Sequence, residues 1–595
     1  MIRNAQHMPM NYELNSDENK QKLSTWQALR GLWPLLRGEQ TILVYAGLAT
    51  LANSAINLVA PLLIAHVVDT YIVTKQFGGV ITFALILLGL YLVGLLTSYA
   101  QTRLMGGMGQ RVLFVLRTNI FTKLQELPVA FFNANKAGDL ISRINNDTDK
   151  LNQFFSQTLV QFVGSIVIMI GAGIFLLSIN LKLGAAALAP ALALLVFTQL
   201  LSPWVKRTNA SSLSATGGLS AEVSESLTNF KVVVAFNRRD FFRKRFEVAN
   251  DANYTTSISA GIANNTFTPV FGLSSNIAQL IVLAYGVYLI TVGQFTLGLL
   301  IGFLSYVANF YNPLRQLAAL WSNFQVALAG WDRISAILQL KNEMRVLPAP
   351  QTPQADTALL EFKNVSFSYT KEKQILHSVN LSLLQGKTYA LVGPTGGGKT
   401  TTASLMARLY DPTEGTVFLH GQDIRTYSPQ ERAKKIGFIL QEPILFSGTV
   451  RENILYGNEA YKNATSEELV SELQKAGLES LLMRFEGGLD AKVATSGDAL
   501  SLGQKQLIAF MRAVLRNPEL LILDEATANI DTVTEQLLED ILKKLPQTTT
   551  RVIIAHRLNT IENADEIFFV NAGEVVPAGS MERAVELLLH GKRKS

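Results

Sequence analysis

The run GPTGGGKTT, Gly393 to Thr401, carries glycine, lysine and hydroxyl groups at a spacing suited to holding a triphosphate. Gly393, Gly398, Lys399 and Thr400 satisfy Gly-x-x-x-x-Gly-Lys-Ser/Thr, with Pro394, Thr395, Gly396 and Gly397 filling the loop and Thr401 following it. Glycines let successive backbone N–H groups point at phosphate oxygens, the lysine can reach the β- and γ-phosphates, and the threonine hydroxyl can ligate Mg²⁺. Such a loop needs a strand before it and a helix after it. Tyr389 to Val392 reads as a short apolar strand and Thr401 to Leu409 as a helix, so that context is present. A second apolar run, LLILDEAT at Leu520 to Thr527, ends in the carboxylates Asp524 and Glu525. Taken alone, such a pair reads as a helix cap or a solvated turn.

Between them, LSLGQKQ at Leu500 to Gln506 resembles the signature sequence of the ATP-binding cassette (ABC) family. The resemblance runs from Leu359 to about Gly579 with the motifs in order. It implies that Asp524 holds Mg²⁺, directly or through water, and that Glu525 polarises the attacking water as general base. Gln441, in FILQEPILFSGT, matches the glutamine that senses Mg²⁺ and the γ-phosphate and touches the membrane domain. His556, in VIIAHRL, matches the histidine that holds the γ-phosphate and the attacking water; without that position it reads as a structural residue. Tyr369, in VSFSYTKEKQIL, matches the aromatic residue that stacks on adenine, although a tyrosine at an exposed strand end is common. Asp531, in ANID, matches the loop that meets the opposite subunit.

The signature run starts a helix, with Ser501 as its cap and Leu507, Phe510, Met511 and Val514 at helical spacing behind it. The partial positive charge and free N–H groups of such an end attract an anion. By resemblance, Ser501, Gly503 and Gln504 take the γ-phosphate of ATP held by the other subunit. Two positions depart from the family pattern. Leu502 replaces the first glycine of Leu-Ser-Gly-Gly-Gln, adding a branched side chain where backbone and phosphate approach closely. Thr495 replaces a glutamate expected where the partner's intracellular loops meet the cassette. A heterodimer with unequal ATP sites is the simplest reading, and a homodimer that tolerates leucine is the second.

The chain of 595 residues is 48% hydrophobic and 16% charged. A soluble protein carries about 25% charged residues, so a purely soluble enzyme is disfavoured. Cysteine is absent, which excludes disulfides, thiol catalysis and Cys-based metal sites. The net charge of +6 is not gathered in one patch; Lys and Arg flank apolar spans, which points to lipid headgroups and not to nucleic acid. Within 25–36, Trp26, Leu29, Trp33 and Leu36 recur at helical spacing beside Arg30 and Arg37, as in an interfacial helix. No short apolar segment with a cleavage site is seen, so no removable signal peptide is expected. Six apolar segments follow, near 41–67, 79–100, 158–178, 183–201, 266–292 and 297–320. Each is long enough to cross a hydrocarbon core of about 30 Å.

The connections at 101–156 and 202–263 carry seven and eight Lys/Arg, whereas those at 69–78 and 178–182 carry one each. The positive-inside rule places both long connections and both termini in the cytoplasm. Their helical periodicity extends the helices well past the membrane, which resembles ABC exporters, whose intracellular extensions press short transverse helices onto the ATPase domain. Phe131 to Leu151 is similar to the first such contact region, and the second is expected within Leu213 to Phe236.

The expected organisation is a tail and elbow helix at 1–40, a six-helix, all-α transmembrane domain with two long intracellular extensions at 41–330, a Pro-rich linker at 341–357, and an α/β P-loop NTPase domain of ABC type at 358–595. With no second P-loop the chain reads as a half-transporter, pairing with another half to complete twelve spans and two ATP sites. The implied function is ATP-driven export of an amphipathic drug, lipid or peptide by a multi-pass protein of the bacterial inner membrane, with ATP and Mg²⁺ as cofactors. An importer using the exporter fold, or an ATP-gated channel or sensor, is the alternative. Six spans exclude a soluble DNA-repair ATPase. Asn53, Asn57, Asn276, Gln279, Tyr306, Asn309 and Tyr311 are polar residues within the spans, open to helix–helix hydrogen bonding or to substrate contact.

Overall fold

The computed structural model describes residues 12–14, 30–342, 344–348, 358–370, 373–494, 500–524, 532–554, 563–579 and 581–590. The chain forms two units: Lys20–Leu124 with Gly138–Gln339, and Leu340–Ser595 together with Met1–Asn19 and Gln125–Ala137.

The first unit is helical. Six helices, Gln40–Ile72, Phe77–Glu126, Ala137–Ile179, Leu181–Thr228, Arg239–Thr291 and Leu297–Leu338, are long and apolar enough to cross a membrane. A bilayer offers no water to satisfy polar groups, so those inside must pair within the protein. Buried Tyr306 donates to the Leu58 carbonyl at 2.5 Å and stacks on Phe175. Tyr311 donates to the Ala187 carbonyl at 2.9 Å. Both tyrosines therefore fasten helices together. Asn309 also bridges helices, donating to the Asn57 carbonyl at 3.1 Å, while Asn57 donates to Asn53. Asn276 is exposed and Gln279 half-buried. At one end of this bundle Asp69 accepts from the Gly298 N–H at 2.7 Å and from the Thr296 hydroxyl, capping the last long helix.

Phe77–Glu126 and Leu181–Thr228 span 50 and 48 residues, far more than the ~20 a crossing needs. Between the first of these and the next span, the contact region expected over Phe131 to Leu151 proves to be divided. The short helix Val129–Ala134, with Phe131 fully buried, clusters with the second unit. The residues after Ala137 stay with the helical unit. The reason is charge pairing: Asp139 binds Arg143 at 2.9 Å and Arg333 at 2.6 Å, and buried Asp147 binds Lys150 at 2.9 Å and Arg333 at 3.3 Å. Carboxylates removed from water need such partners nearby. The second extension carries the short helix Phe230–Ala235, inside the expected segment, with Phe230, Val232 and Phe236 exposed. Of the amphipathic stretch at 25–36, residues 30–36 are described; Trp33–Leu36 is a 3₁₀ turn with Trp33 exposed and Leu36 buried, and Trp26 and Leu29 lie outside the described residues.

The second unit holds a sheet in the order Glu574–Pro577, Glu566–Asn571, Thr388–Val392, Thr550–Ile554, Leu520–Asp524, Ile436–Ile439, parallel except at the first pair. A parallel sheet covered on both faces takes continuous apolar strands, and every residue of Thr388–Val392 and of Leu520–Asp524 is buried. Because alternate residues point to opposite faces, Leu520 and Ile522 join one core with Phe362, Leu391 and Met406, whereas Leu521 and Leu523 join another with Leu473, Leu507 and Met511. A four-stranded antiparallel sheet, in the order Lys373–Leu384, Ala358–Thr370, Glu414–Leu419, Gln422–Asp423, covers the first core.

Candidate nucleotide site

The three strands that carry the candidate residues end at one sheet edge. Ile554 is in register with both Leu391 and Asp524, so the loop after Val392 and the chain after Asp524 emerge side by side. In open α/β sheets, ligands bind at this carboxyl edge. Glu525 and His556 follow the ends of two of these strands; they, with Asp531 and Thr495, lie outside the described residues. Gln441 stands two residues past the strand Ile436–Ile439 and is exposed.

The loop itself is shaped by close approach. A Cβ on Gly393 would overlap the Val570 carbonyl oxygen, and one on Gly397 would lie 2.6 Å from the same atom. Gly398 has φ +116°, in the left-handed region that disfavours side chains. Its helix is Lys399–Met406, two residues earlier in its start and three in its end than the sequence suggested. The loop N–H groups and the helix end together offer an anion cradle. Lys399 is buried and its Nζ donates to the carbonyls of Gly393 at 2.8 Å and Pro394 at 3.1 Å, which holds the ammonium across the mouth of the loop. Pro394, Thr395 and Gly396 form the partly exposed rim. Thr400 donates to buried Asp524 Oδ1 at 3.3 Å. A hydroxyl and a carboxylate this close are hard oxygen donors, the kind Mg²⁺ takes alongside phosphate oxygens.

Tyr369, near the end of Ala358–Thr370, is 46% exposed, and its hydroxyl shares a hydrogen bond with buried Thr401 at 3.1 Å. A ring with one open side anchored to the P-loop helix can stack on a nucleobase.

The signature helix, Leu502–Val514, begins on a complete capping box. Ser501 Oγ accepts from the Gln504 N–H at 3.2 Å, and Gln504 Oε1 accepts from the Ser501 N–H at 3.0 Å. Leu507, Phe510, Met511 and Val514 are buried as the spacing predicted. Leu502 occupies the first helical position, 41% exposed, and Gly503 behind it is half-buried. The leucine does not disturb the helix it begins. The fold groups Lys399, Thr400, Thr401, Asp524 and Tyr369, but the signature helix rests on the other core and no hydrogen bond among the described residues joins it to the P-loop.

Sequence reading missed Tyr410 and Asn133. Tyr410 packs edge-on to Tyr369 and accepts from Asn133. Asn133 lies in the segment read as a contact region, but its separation of 277 positions from Tyr410 leaves no local signal of the pair.

Both parts of the chain are similar to known proteins. The family profile described as ABC transporter transmembrane region matches residues 43–314, and that described as ABC transporter matches residues 376–528. The uncharacterized ABC transporter ATP-binding protein YfiC of Bacillus subtilis is 32% identical over 97% of this chain and 95% of its own length. A fatty acid ABC transporter ATP-binding/permease protein of Mycobacterium tuberculosis is 34% identical over 85% of this chain and 79% of its own. A multidrug resistance ABC transporter ATP-binding and permease protein of Lactococcus lactis subsp. cremoris is 32% identical over 84% of each. Among solved structures, a bacterial Atm1-family ABC exporter with ATP bound superposes with a TM-score of 0.76 at 26% identity, covering 94% of this chain and 97% of that one.

Proposed function

The chain belongs to the ATP-binding cassette transporter family, as an exporter-type half-transporter with fused membrane and ATPase parts, and we propose that it exports amphipathic molecules as one half of a heterodimer with unequal ATP sites. One contrast carries the proposal: Thr400 and Asp524 meet at the P-loop edge beside buried Lys399, whereas the signature helix presents an exposed Leu502 at the end expected to face a second chain's nucleotide.

In this reading Lys399 and the loop N–H groups of Thr395 to Thr401 hold the β- and γ-phosphates, and Tyr369 stacks on adenine. Thr400, Asp524 and Gln441 hold Mg²⁺, which neutralises charge on the phosphate oxygens when bound. Glu525 takes the proton of the attacking water, and His556 orients it against the γ-phosphate. The site on this P-loop then needs a signature with glycine from a partner. Leu502, with Ser501, Gly503 and Gln504, faces the partner's ATP, which serves mainly as a clamp. The partner is expected to carry a weakened catalytic glutamate or histidine. ATP bound between two cassettes favours their closed arrangement and hydrolysis removes that bias, so the membrane helices alternate between inward- and outward-facing states.

The exposed Phe230, Val232 and Phe236 of the second extension suit burial against a partner. Relatives named for fatty acid transport and for multidrug resistance, all bacterial, support an amphipathic substrate class and the cytoplasmic membrane as location, with the ATPase unit inside. The test is ATP-dependent accumulation of fluorescent dyes and labelled fatty acids in inside-out vesicles, with this chain alone and with candidate partner halves. Accumulation only with a non-identical partner is expected. A stable dimer of this chain alone with full substrate-stimulated ATPase and accumulation overturns the heterodimer.

A further inference from the structure

Behind the ring of Tyr369 lies a second aromatic layer. Phe367, Tyr369 and Tyr410 meet edge to face in all three pairs, with centroids 4.8 to 5.5 Å apart and interplanar angles of 61° to 87°. Phe367 is buried and Tyr410 half-buried. Edge-to-face packing on two sides, with the hydroxyl held by Thr401, sets the plane in which the open side of Tyr369 is presented. Tyr410 is itself fixed. It follows the P-loop helix through Arg408, a buried residue at φ +50° whose guanidinium binds Asp411 at 2.9 Å and the Arg345 carbonyl at 2.9 Å.

The Tyr410 hydroxyl accepts from Asn133 Nδ2 at 2.6 Å. Asn133 lies in the short helix Val129–Ala134, which clusters with the ATPase unit although the chain before Gln125 and after Ala137 belongs to the helical unit. A hydrogen-bonded and packed path thus leads from a segment inserted in the membrane part, through Tyr410, to the ring of Tyr369 and to Thr401 in the first turn of the P-loop helix.

We propose that Tyr410 is a positioning residue for nucleotide binding, through which Asn133 sets how tightly ATP is held. The inference rests on the reading of Tyr369 as the adenine-stacking residue. When Val129–Ala134 is drawn away, Tyr410 loses its hydrogen bond, the ring packed against Tyr369 is held less firmly, and affinity for ATP falls. By linkage, ATP binding favours the docked position of Val129–Ala134 by the same factor.

The test uses the full transporter in lipid nanodiscs, with ATP affinity measured by competition against trinitrophenyl-ATP and steady-state ATPase measured alongside. Tyr410→Phe keeps the ring and removes only the hydroxyl; Asn133→Ala removes the donor. Each is expected to raise the ATP Kd and KM about two- to tenfold, the range of one net hydrogen bond, with a smaller change in kcat. The double variant should be no weaker than either single one, because both remove the same bond. Unchanged affinity in both variants, or effects that add in the double variant, overturns the proposal. Tyr369→Ala separates the two levels. If it leaves ATP affinity unchanged, the stacking assignment fails and the proposal falls with it; if it weakens binding while Tyr410→Phe does not, only the role of Tyr410 is lost.

Discussion

The P-loop face and the signature face of the ATPase unit are made in different ways. The first is closed on itself: Lys399 and Asp524 are buried, the loop lies against Val570, and Thr400 and Asp524 are joined by a hydrogen bond. The second is an open helix end, with Ser501 and Leu502 exposed, a capping box between Ser501 and Gln504, and one longer bond from Gln504 Nε2 to the Arg484 carbonyl. A change on the first face must disturb the chain's own site. A change at exposed Leu502 on the second removes no contact the fold depends on and acts on whatever approaches it. That asymmetry explains how a leucine can stand at position 502 beside a P-loop with no departures.

The largest expected effect lies on the first face. Glu525→Gln should leave ATP binding intact and lower ATPase turnover about 10²- to 10⁴-fold, because an amide cannot accept the proton. Near-normal turnover of the purified variant would remove Glu525 from the site. Lys399→Ala removes charge-assisted bonds to phosphate and should weaken ATP binding about ten- to hundredfold, read by nucleotide competition. Unchanged affinity would mean that the loop does not hold the triphosphate.

Changes on the second face should be smaller and should separate the two dimer readings. On the heterodimer reading, Leu502→Gly in the complex with a partner half should alter total ATPase only modestly, since that reading makes the site it enters a clamp. A many-fold rise in ATPase of this chain alone would show that Leu502 limits a hydrolytic site, and with it a homodimer. Ser501→Ala should cost about 1 kcal/mol of stability through loss of the helix cap, seen as a lower thermal midpoint of the ATPase transition. If it instead abolishes hydrolysis at unchanged stability, this end contributes more than a cap and a clamp.

What could be read without the fold is what repeats or bonds locally. The spans follow from apolar runs longer than a bilayer is thick, the loop from glycines and a lysine within nine residues, and the cap from Ser501 and Gln504 three positions apart. The strand burial of Leu520 to Asp524 and the buried stripe of Leu507, Phe510, Met511 and Val514 likewise follow from fixed backbone periods. Other features were settled only when distant elements met. The region from Phe131 to Leu151 reads as one continuous contact segment, yet it divides at Ala137, because Asp139 and Asp147 find Arg333 in the last long helix. Tyr306 and Tyr311 are equally compatible with substrate contact until their hydroxyls are seen on the Leu58 and Ala187 carbonyls. Asn133 falls inside the segment read as a contact region, but nothing in the sequence points from it to Tyr410, 277 positions away. A helix or strand writes its period into the chain, but the identity of a partner hundreds of positions away depends on which surfaces close on one another, and only tertiary packing decides that.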